Sequence, residues 1–229
     1  MNMNRKVIFL YALDHFLSLA AAGVALFWSA GRFNWWAAWA VLGVWAVWFA
    51  VTDTLLLRAN PELMAERLKP PKSAKNWDRV ILSVLRILQL LRYILAGLDQ
   101  RYGWTSGFPL SAQIAGLVVS CLGYGLLPWA MVSNAYFSQV VRIQSDRGHA
   151  VERKGPYRFV RHPAYIGMIL FELAISTLLG SWAAILTGVV CSILIILRTA
   201  LEDRTLQTEL NGYTDYARQV RFRLLPGIW

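Results

Sequence analysis

The chain of 229 residues is 57% hydrophobic and only 16% charged, with a mean hydropathy of +0.43. Apolar residues gathered in long blocks at that density exclude an ordinary soluble domain. They predict an all-α, polytopic membrane bundle, one structural domain overall because no polar linker is long enough to separate two. The formal net charge of +10 does not point to nucleic acid, because the cations cluster between apolar blocks, as loops facing anionic lipid headgroups do.

Residues 6 to about 30 form the first apolar block, preceded by Arg5 and Lys6. The run continues past Ala20-Ala21-Ala22 to Trp28, which favours a retained span over a cleaved signal peptide. Gly31 to Asn34 is a tight turn, and Trp35, Trp36 and Trp39, clustered as an interfacial belt, then open a second span that runs to about Leu57. Residues 58–79 are polar, with Arg58, Arg67, Lys69, Lys72, Lys75 and Arg79 beside Glu62, Glu66 and Asp78. Within them Asn60-Pro61-Glu62 reads as a helix N-cap and Pro70-Pro71 as its end. The short helix is either a surface element near a functional site or a solvated connector.

Residues 79–98 carry Arg79, Ser83, Arg86, Gln89 and Tyr93 at helical spacing. They fit an in-plane amphipathic helix or a span whose polar stripe faces the bundle. Asp99 to Pro109 is a short loop, and 110 to about 133 another span, with Gly116, Ser120 and Gly123 allowing close packing. The main polar region is 134–163. Apolar helices over 164–180 and 182 to about 200 follow, joined at Gly180-Ser181 as a hairpin, then a polar tail. Basic residues crowd the N-terminus, 58–79, 134–163 and the tail, and are sparse in the other connections. Six spans with both ends in the cytoplasm satisfy that distribution, which selects the spanning reading for 79–98. The chain divides into N-terminal spans (1–133) and a functional region (134–229).

Chemistry-bearing groups converge at one end of the bundle. Gly155-Pro156 is a turn, and Pro163 begins a helix with His162 held out of the α region before it. Arg198 and Glu202, four residues apart, share a helix face able to overhang this segment. Glu172 lies about 12 Å along its helix, at 1.5 Å per residue, and an ion pair with Arg198 is expected for it. His15 reads as a packed side chain. His149 and His162 lack a carboxylate or thiolate at ligand spacing, so no metal is expected. Cys121 and Cys191 lie in apolar blocks without CxxC spacing and read as buried small side chains. P-loop, GxGxxG and GxSxG motifs are missing.

Over about 134–229 the chain resembles the isoprenylcysteine carboxyl methyltransferase family of integral-membrane enzymes. The resemblance rests on Arg161-His162-Pro163-Ala164-Tyr165, the Gly155-x-Tyr157 lead-in, the Arg198/Glu202 helix, Tyr213 and Tyr216, and a proline-containing end. It implies a cytoplasmic S-adenosylmethionine pocket contacted by Arg142, His149, Ala150, Val151, Glu152, Tyr157, His162, Pro163, Ala164, Tyr165 and Glu202. It implies also a lipophilic acceptor, most simply a prenylcysteine-like carboxylate, oriented by Arg198, with Arg161 as a second catalytic candidate.

The residue types suit that chemistry on their own account. Arg161, His162 and free N–H groups at the Pro163 helix start suit the cofactor carboxylate, Glu202 its ammonium, and Tyr157 and Tyr165 its sulfonium or adenine. Transfer to a carboxylate needs no general base. The competing classes are a membrane sterol-type reductase using a nicotinamide dinucleotide, which resembles the same C-terminal pattern, and a transporter or scaffold. Transporters place charge at the midplane and show internal repeats, whereas here polar groups gather at one face and no repeat is evident. The acceptor and the choice between a bacterial inner membrane and an endoplasmic-reticulum membrane stay open at this stage.

Overall fold

The computed structural model describes residues 5–68, 74–123 and 125–229, with side chains from Val7 onward. Lys69, Lys72 and the Pro70-Pro71 helix stop lie outside the described residues, as do the side chains of Arg5 and Lys6. Among the described residues the fold is entirely helical. It comprises α1 (Arg5–Ala30), α2 (Trp36–Ala59), α3 (Pro61–Arg67), α4 (Asn76–Tyr102), α5 (Leu110–Gly123), α6 (Leu126–Ser133), α7 (Pro163–Leu178), α8 (Trp182–Glu209) and α9 (Tyr213–Gln219).

Among the described residues five stretches are long and apolar enough to cross a membrane: the helices α1, α2, α4 and α8, and the run Leu110–Ser133, which contains α5 and α6. The sixth expected span is α7, a shorter apolar helix of 16 residues. Their outward faces carry Phe16 at 66% exposure, Leu122 at 72% and Leu186 at 65%. A surface that apolar is stable against lipid and not against water.

The caps follow from sequence. The Asn60 side chain accepts from Leu63 N–H at 3.3 Å to start α3, with Pro61 at its first position. Ser181 accepts from Ala184 N–H at 3.2 Å to start α8. α4 is longer than expected, because the Asp99 carboxylate accepts from Thr105 N–H at 2.7 Å and its hydroxyl at 2.6 Å. The helix therefore runs through the expected loop start and ends before Gly103. α8 likewise continues past residue 200 to Glu209. Cys121 is exposed, and only Cys191 is buried.

Small residues set the closest helix contacts. At Gly116 of α5 a Cβ would fall 2.7 Å from the Ala174 carbonyl of α7. At Gly97 of α4 it would fall 2.7 Å from the Leu26 carbonyl and 2.9 Å from Ala30 N of α1. α1 and α4 thus touch backbone to backbone at that end of the bundle. The polar stripe of α4 is divided: Arg79, Ser83 and Arg86 are exposed, and only its deeper part, Gln89 and Tyr93, turns inward beside Arg92. Gln89 donates to Glu172 Oε1 at 2.7 Å, Trp45 Nε1 donates to the Tyr93 hydroxyl at 2.9 Å, and Arg92 forms a buried ion pair with Glu172.

That pair replaces the expected one between Glu172 and Arg198. A Cβ at Gly188 would lie 2.8 Å from the Glu172 carbonyl, so Glu172 stands level with Gly188 across the hairpin. Arg198 is about ten residues, or about 15 Å, further along α8 at 1.5 Å per residue. The equal depth assumed from sequence fails because residues in an antiparallel hairpin face each other at equal distances from its turn.

Substituting Gly97→Ala forces α1 and α4 apart. We expect a loss of about 1–3 kcal/mol, read as a lower thermal unfolding midpoint by circular dichroism in detergent. An unchanged midpoint would show that the helices separate freely.

Candidate functional site

Gly155 takes φ +56°, and a Cβ there would fall 2.3 Å from the Ser133 Oγ, so only glycine makes this turn without displacing α6. Pro156 then directs a short 3₁₀ turn that buries Tyr157, whose carbonyl accepts from the Tyr216 hydroxyl at 2.7 Å. His162 is the N-cap of α7 at φ −129°, and Pro163 is its first residue. The N–H groups of Arg161 and His162 donate to the carbonyls of Phe222 and Arg223, both at 2.9 Å, which ties the tail to the motif. Ala164 N–H, in the first turn of α7 on the cavity wall, is beyond the reach of any intrahelical carbonyl.

The centre of this arrangement is Asp203 on α8, which is 0% exposed. Its carboxylate receives Arg161 at 2.7 and 3.0 Å, Arg223 at 2.8 Å, Gln207 at 2.7 Å and the Tyr213 hydroxyl at 3.0 Å, with His162 Nε2 at 3.2 Å. Burial first, and the Asp203 charge next, raise the Tyr213 phenol above its ordinary range, so it stays a donor. Arg161 spends its remaining nitrogen on the carbonyls of Val220 and Arg221, at 2.8 and 2.7 Å. Arg161, expected at the reacting group, thus has its donors hydrogen-bonded within the protein. Its neighbour's imidazole fills the space between Asp203 and Tyr213, 3.3 Å from the latter's hydroxyl.

Arg198 is held differently. Nε and Nη2 bind Asp78 at 2.7 and 3.3 Å, and Nη2 also donates to the Gln139 carbonyl at 3.1 Å. The guanidinium lies 5.3 Å from the Tyr165 ring centroid, and the Tyr165 hydroxyl donates to Glu202 Oε2. Among the described residues Arg198 Nη1 and Glu202 Oε1 make no hydrogen bond, and both side chains line the cavity.

The opposite wall is the 134–154 loop. Arg142 donates to Glu66 of α3 at 2.6 Å, and Arg67 of the same helix also lines the cavity, so α3 is part of the site and not a remote connector. Gln144, 1% exposed, donates to the Tyr136 carbonyl at 2.7 Å, and its N–H donates to His149 Nδ1 at 3.3 Å. The His149 ring packs against Tyr136 at 4.7 Å between centroids. Because Nδ1 accepts, the proton of the neutral ring sits on Nε2. Desolvation, then the nearby charges of Arg142 and Arg147, push this imidazole down to about 4. Glu152 turns back on its own loop, accepting from the N–H groups of Arg153 and Lys154 at 2.9 and 2.7 Å.

One cavity of about 1120 Å³ joins these walls. Arg142, His149, Ala150, Val151, Glu152, Tyr157, Arg161, His162, Pro163, Ala164, Tyr165, Arg198 and Glu202 all line it. The cavity continues as an apolar limb between Leu10, Leu13 and Leu17 of α1, Leu82 of α4, and Met168 of α7. Sequence reasoning missed Asp203, Asp78, Tyr136 and Arg67. Asp203 follows Glu202 directly and faces the same end, a signal available in sequence. Nothing local marks Asp78, whose partner Arg198 lies 120 residues away.

Asp203→Asn should cost about 3–5 kcal/mol, because two guanidinium groups lose their buried counter-charge, and should release the tail to proteolysis. A wild-type melting point and digestion pattern would remove Asp203 from this central role. For His149 the unfolded imidazole titrates near 6.5 and the folded one near 4. The folded state favours the neutral ring, so its contribution is complete above pH 6.5 and is lost as the pH falls through about 4. The melting difference between wild type and His149→Gln should be flat above pH 6.5 and shift against the wild type below it.

Comparison with known proteins is consistent with this site. Residues 115–208 match the sequence model of the isoprenylcysteine carboxyl methyltransferase family. A Protein-S-isoprenylcysteine O-methyltransferase of Schizosaccharomyces pombe is 35% identical over 75 residues, which cover 32% of this chain and 32% of that protein. The aligned stretch thus spans about a third of the relative's length. Over residues 115–208, which carry the 134–154 loop, the Arg161–Tyr165 motif, Arg198 and Glu202, the chain is similar to the isoprenylcysteine carboxyl methyltransferase family.

Proposed function

We propose that this integral membrane protein is a methyltransferase that carries a methyl group from S-adenosylmethionine to the carboxylate of a lipophilic, prenylcysteine-like acceptor. The observation that carries the reading is a single cavity with a polar, aromatic cup at one end, an apolar limb at the other, and Arg198 between them. In this reading the functional region is 134–229, and the dense cations at the site end support a cytoplasmic setting for that end.

The residues present fit the cofactor. Glu202 Oε1 is an open acceptor for an ammonium, and Ala164 N–H is an open donor for a carboxylate at a helix start. Tyr157, Tyr165 and the Tyr136–His149 pair offer ring faces to a sulfonium or an adenine. When bound, S-adenosylmethionine supplies an electrophilic methyl group on sulfur. Arg198, braced by Asp78, turns Nη1 to an acceptor oxygen and fixes its approach. An acceptor carboxyl with a pKa of about 3.5 is already anionic, so no side chain has to remove a proton. Arg161, His162 and Tyr213 position the motif by holding Asp203 and the tail. Leu82 and Met168 shield the reacting oxygen from water, so catalysis rests on alignment and desolvation.

The test is transfer of labelled methyl from S-adenosylmethionine to N-acetyl-S-farnesylcysteine by the purified chain in nanodiscs, with a product cleaved by base as an ester is. S-adenosylmethionine or its demethylated product should raise the melting point, corresponding to about 2.7 kcal/mol at a hundredfold excess over Kd, while a reduced nicotinamide dinucleotide should not. Glu202→Gln should weaken cofactor binding about tenfold, the loss of one charge-assisted hydrogen bond. Arg198→Lys, which keeps a cation beside Asp78, should lower kcat more than it weakens cofactor binding. Stabilisation by the dinucleotide alone would reverse the assignment.

A further inference from the structure

The apolar limb contains a charge that the proposed reaction does not use. Arg86 lines it, about ten residues and about 15 Å into α4 at 1.5 Å per residue. The residue is exposed to the cavity and makes no ion pair or hydrogen bond among the described residues. Asp14 lines the same limb from α1, also exposed, and no ion pair joins the two. An uncompensated guanidinium at that depth in a spanning helix is costly, and in membrane proteins such groups mark ligand paths.

We infer that Arg86 is a second anion contact for the acceptor, placed so that the cavity takes the free acid in preference to the methyl ester it forms. The inference rests on the carboxyl-methyl-transfer reading above. Asp78, Leu82 and Arg86 stand four residues apart along one stripe of α4. Long side chains on a helix lean toward its N-terminus, so the Arg86 guanidinium reaches back along the limb toward Asp78 and Arg198. α1 and α4 are in close contact at Gly97 and Leu26, and nearer their N-termini Leu13 and Leu17 of α1 and Leu82 and Arg86 of α4 line the same cavity. An amphiphile entering there meets Arg86 before Arg198.

The charge balance favours one occupant. Asp14 repels an anion from the α1 wall and steers it to the α4 wall, where Arg86 is free to pair. The surrounding leucines lower the local dielectric and strengthen that contact. The ester has no charge to offer and forfeits it, so the product is held only by its apolar chain and leaves by the same limb.

The experiment compares equilibrium binding of N-acetyl-S-farnesylcysteine and its methyl ester to the full chain in nanodiscs, without methyl donor. Wild type should prefer the acid by about tenfold or more, the worth of a hydrogen bond to a charged group. Arg86→Gln should remove that preference while leaving ester affinity unchanged, and Arg86→Lys should restore most of it. Leu17→Ala should weaken acid and ester alike, which separates loss of the limb from loss of the charge. An acid preference that survives Arg86→Gln, or an equal loss for both ligands, overturns the role of Arg86 alone. Binding of neither probe by the wild type would remove the carboxyl-methyltransfer reading and this inference with it.

Discussion

A buried carboxylate with five protein donors around it is the interaction on which the site depends. Asp203 has no solvent access, so its charge is tolerable only because Arg161, Arg223, Gln207, Tyr213 and His162 surround it. Those partners come from the motif, from the tail and from α8 and α9. One charge therefore ties together the motif, the tail and two helices, beside the apolar contacts of Tyr213, Tyr216 and Leu224. The backbone ladder from Arg161 and His162 to Phe222 and Arg223 runs alongside and completes the clamp. What looks in sequence like a strip of reactive groups is in large part a frame, and the open valences within it are few: Glu202 Oε1, Arg198 Nη1 and the Ala164 N–H.

A second buried carboxylate repeats the logic one helix away. Asp78 holds Arg198 and also accepts from Val141 N–H at 2.7 Å, so it joins α4, α8 and the 134–154 loop. Deeper in the bundle Glu172 and Arg92 neutralise each other where neither could remain charged alone. In each case an acidic group on one helix is matched to a guanidinium on another, and the guanidinium serves because its planar fork can bind two groups at once. The bundle is thus keyed by polar pairs inside an apolar shell, which is how helices choose partners where lipid supplies no hydrophobic drive between them.

Much of this was legible in one dimension. The helix starts at Asn60-Pro61, His162-Pro163 and Ser181 are local chemistry, and the inward turn of Gln89 and Tyr93 on α4 is a matter of spacing. The gathering of Tyr157, His162, Tyr165 and Glu202 around one cavity also follows from a short motif and a short hairpin. Arg198 and Glu172 mislead because each is an isolated charge in an apolar run. Sequence shows that such a charge needs a partner and not which one. The partner is set by the hairpin register and by which helix fills the remaining side, so Asp78 and Arg92, both on α4, were invisible as answers until the packing was known.

The amino-acid sequence by itself determined that the chain lies in a membrane, where its helices begin, and that its reactive groups share one end. These depend on contacts within a few residues and on the aversion of apolar side chains to water. Only the tertiary structure decided that Arg161 braces the tail, that Asp203 is its anchor, and that Arg86 lines an apolar passage with no partner among the described residues. Pairing between helices depends on their lateral order and rotation, and those are settled by the whole bundle at once.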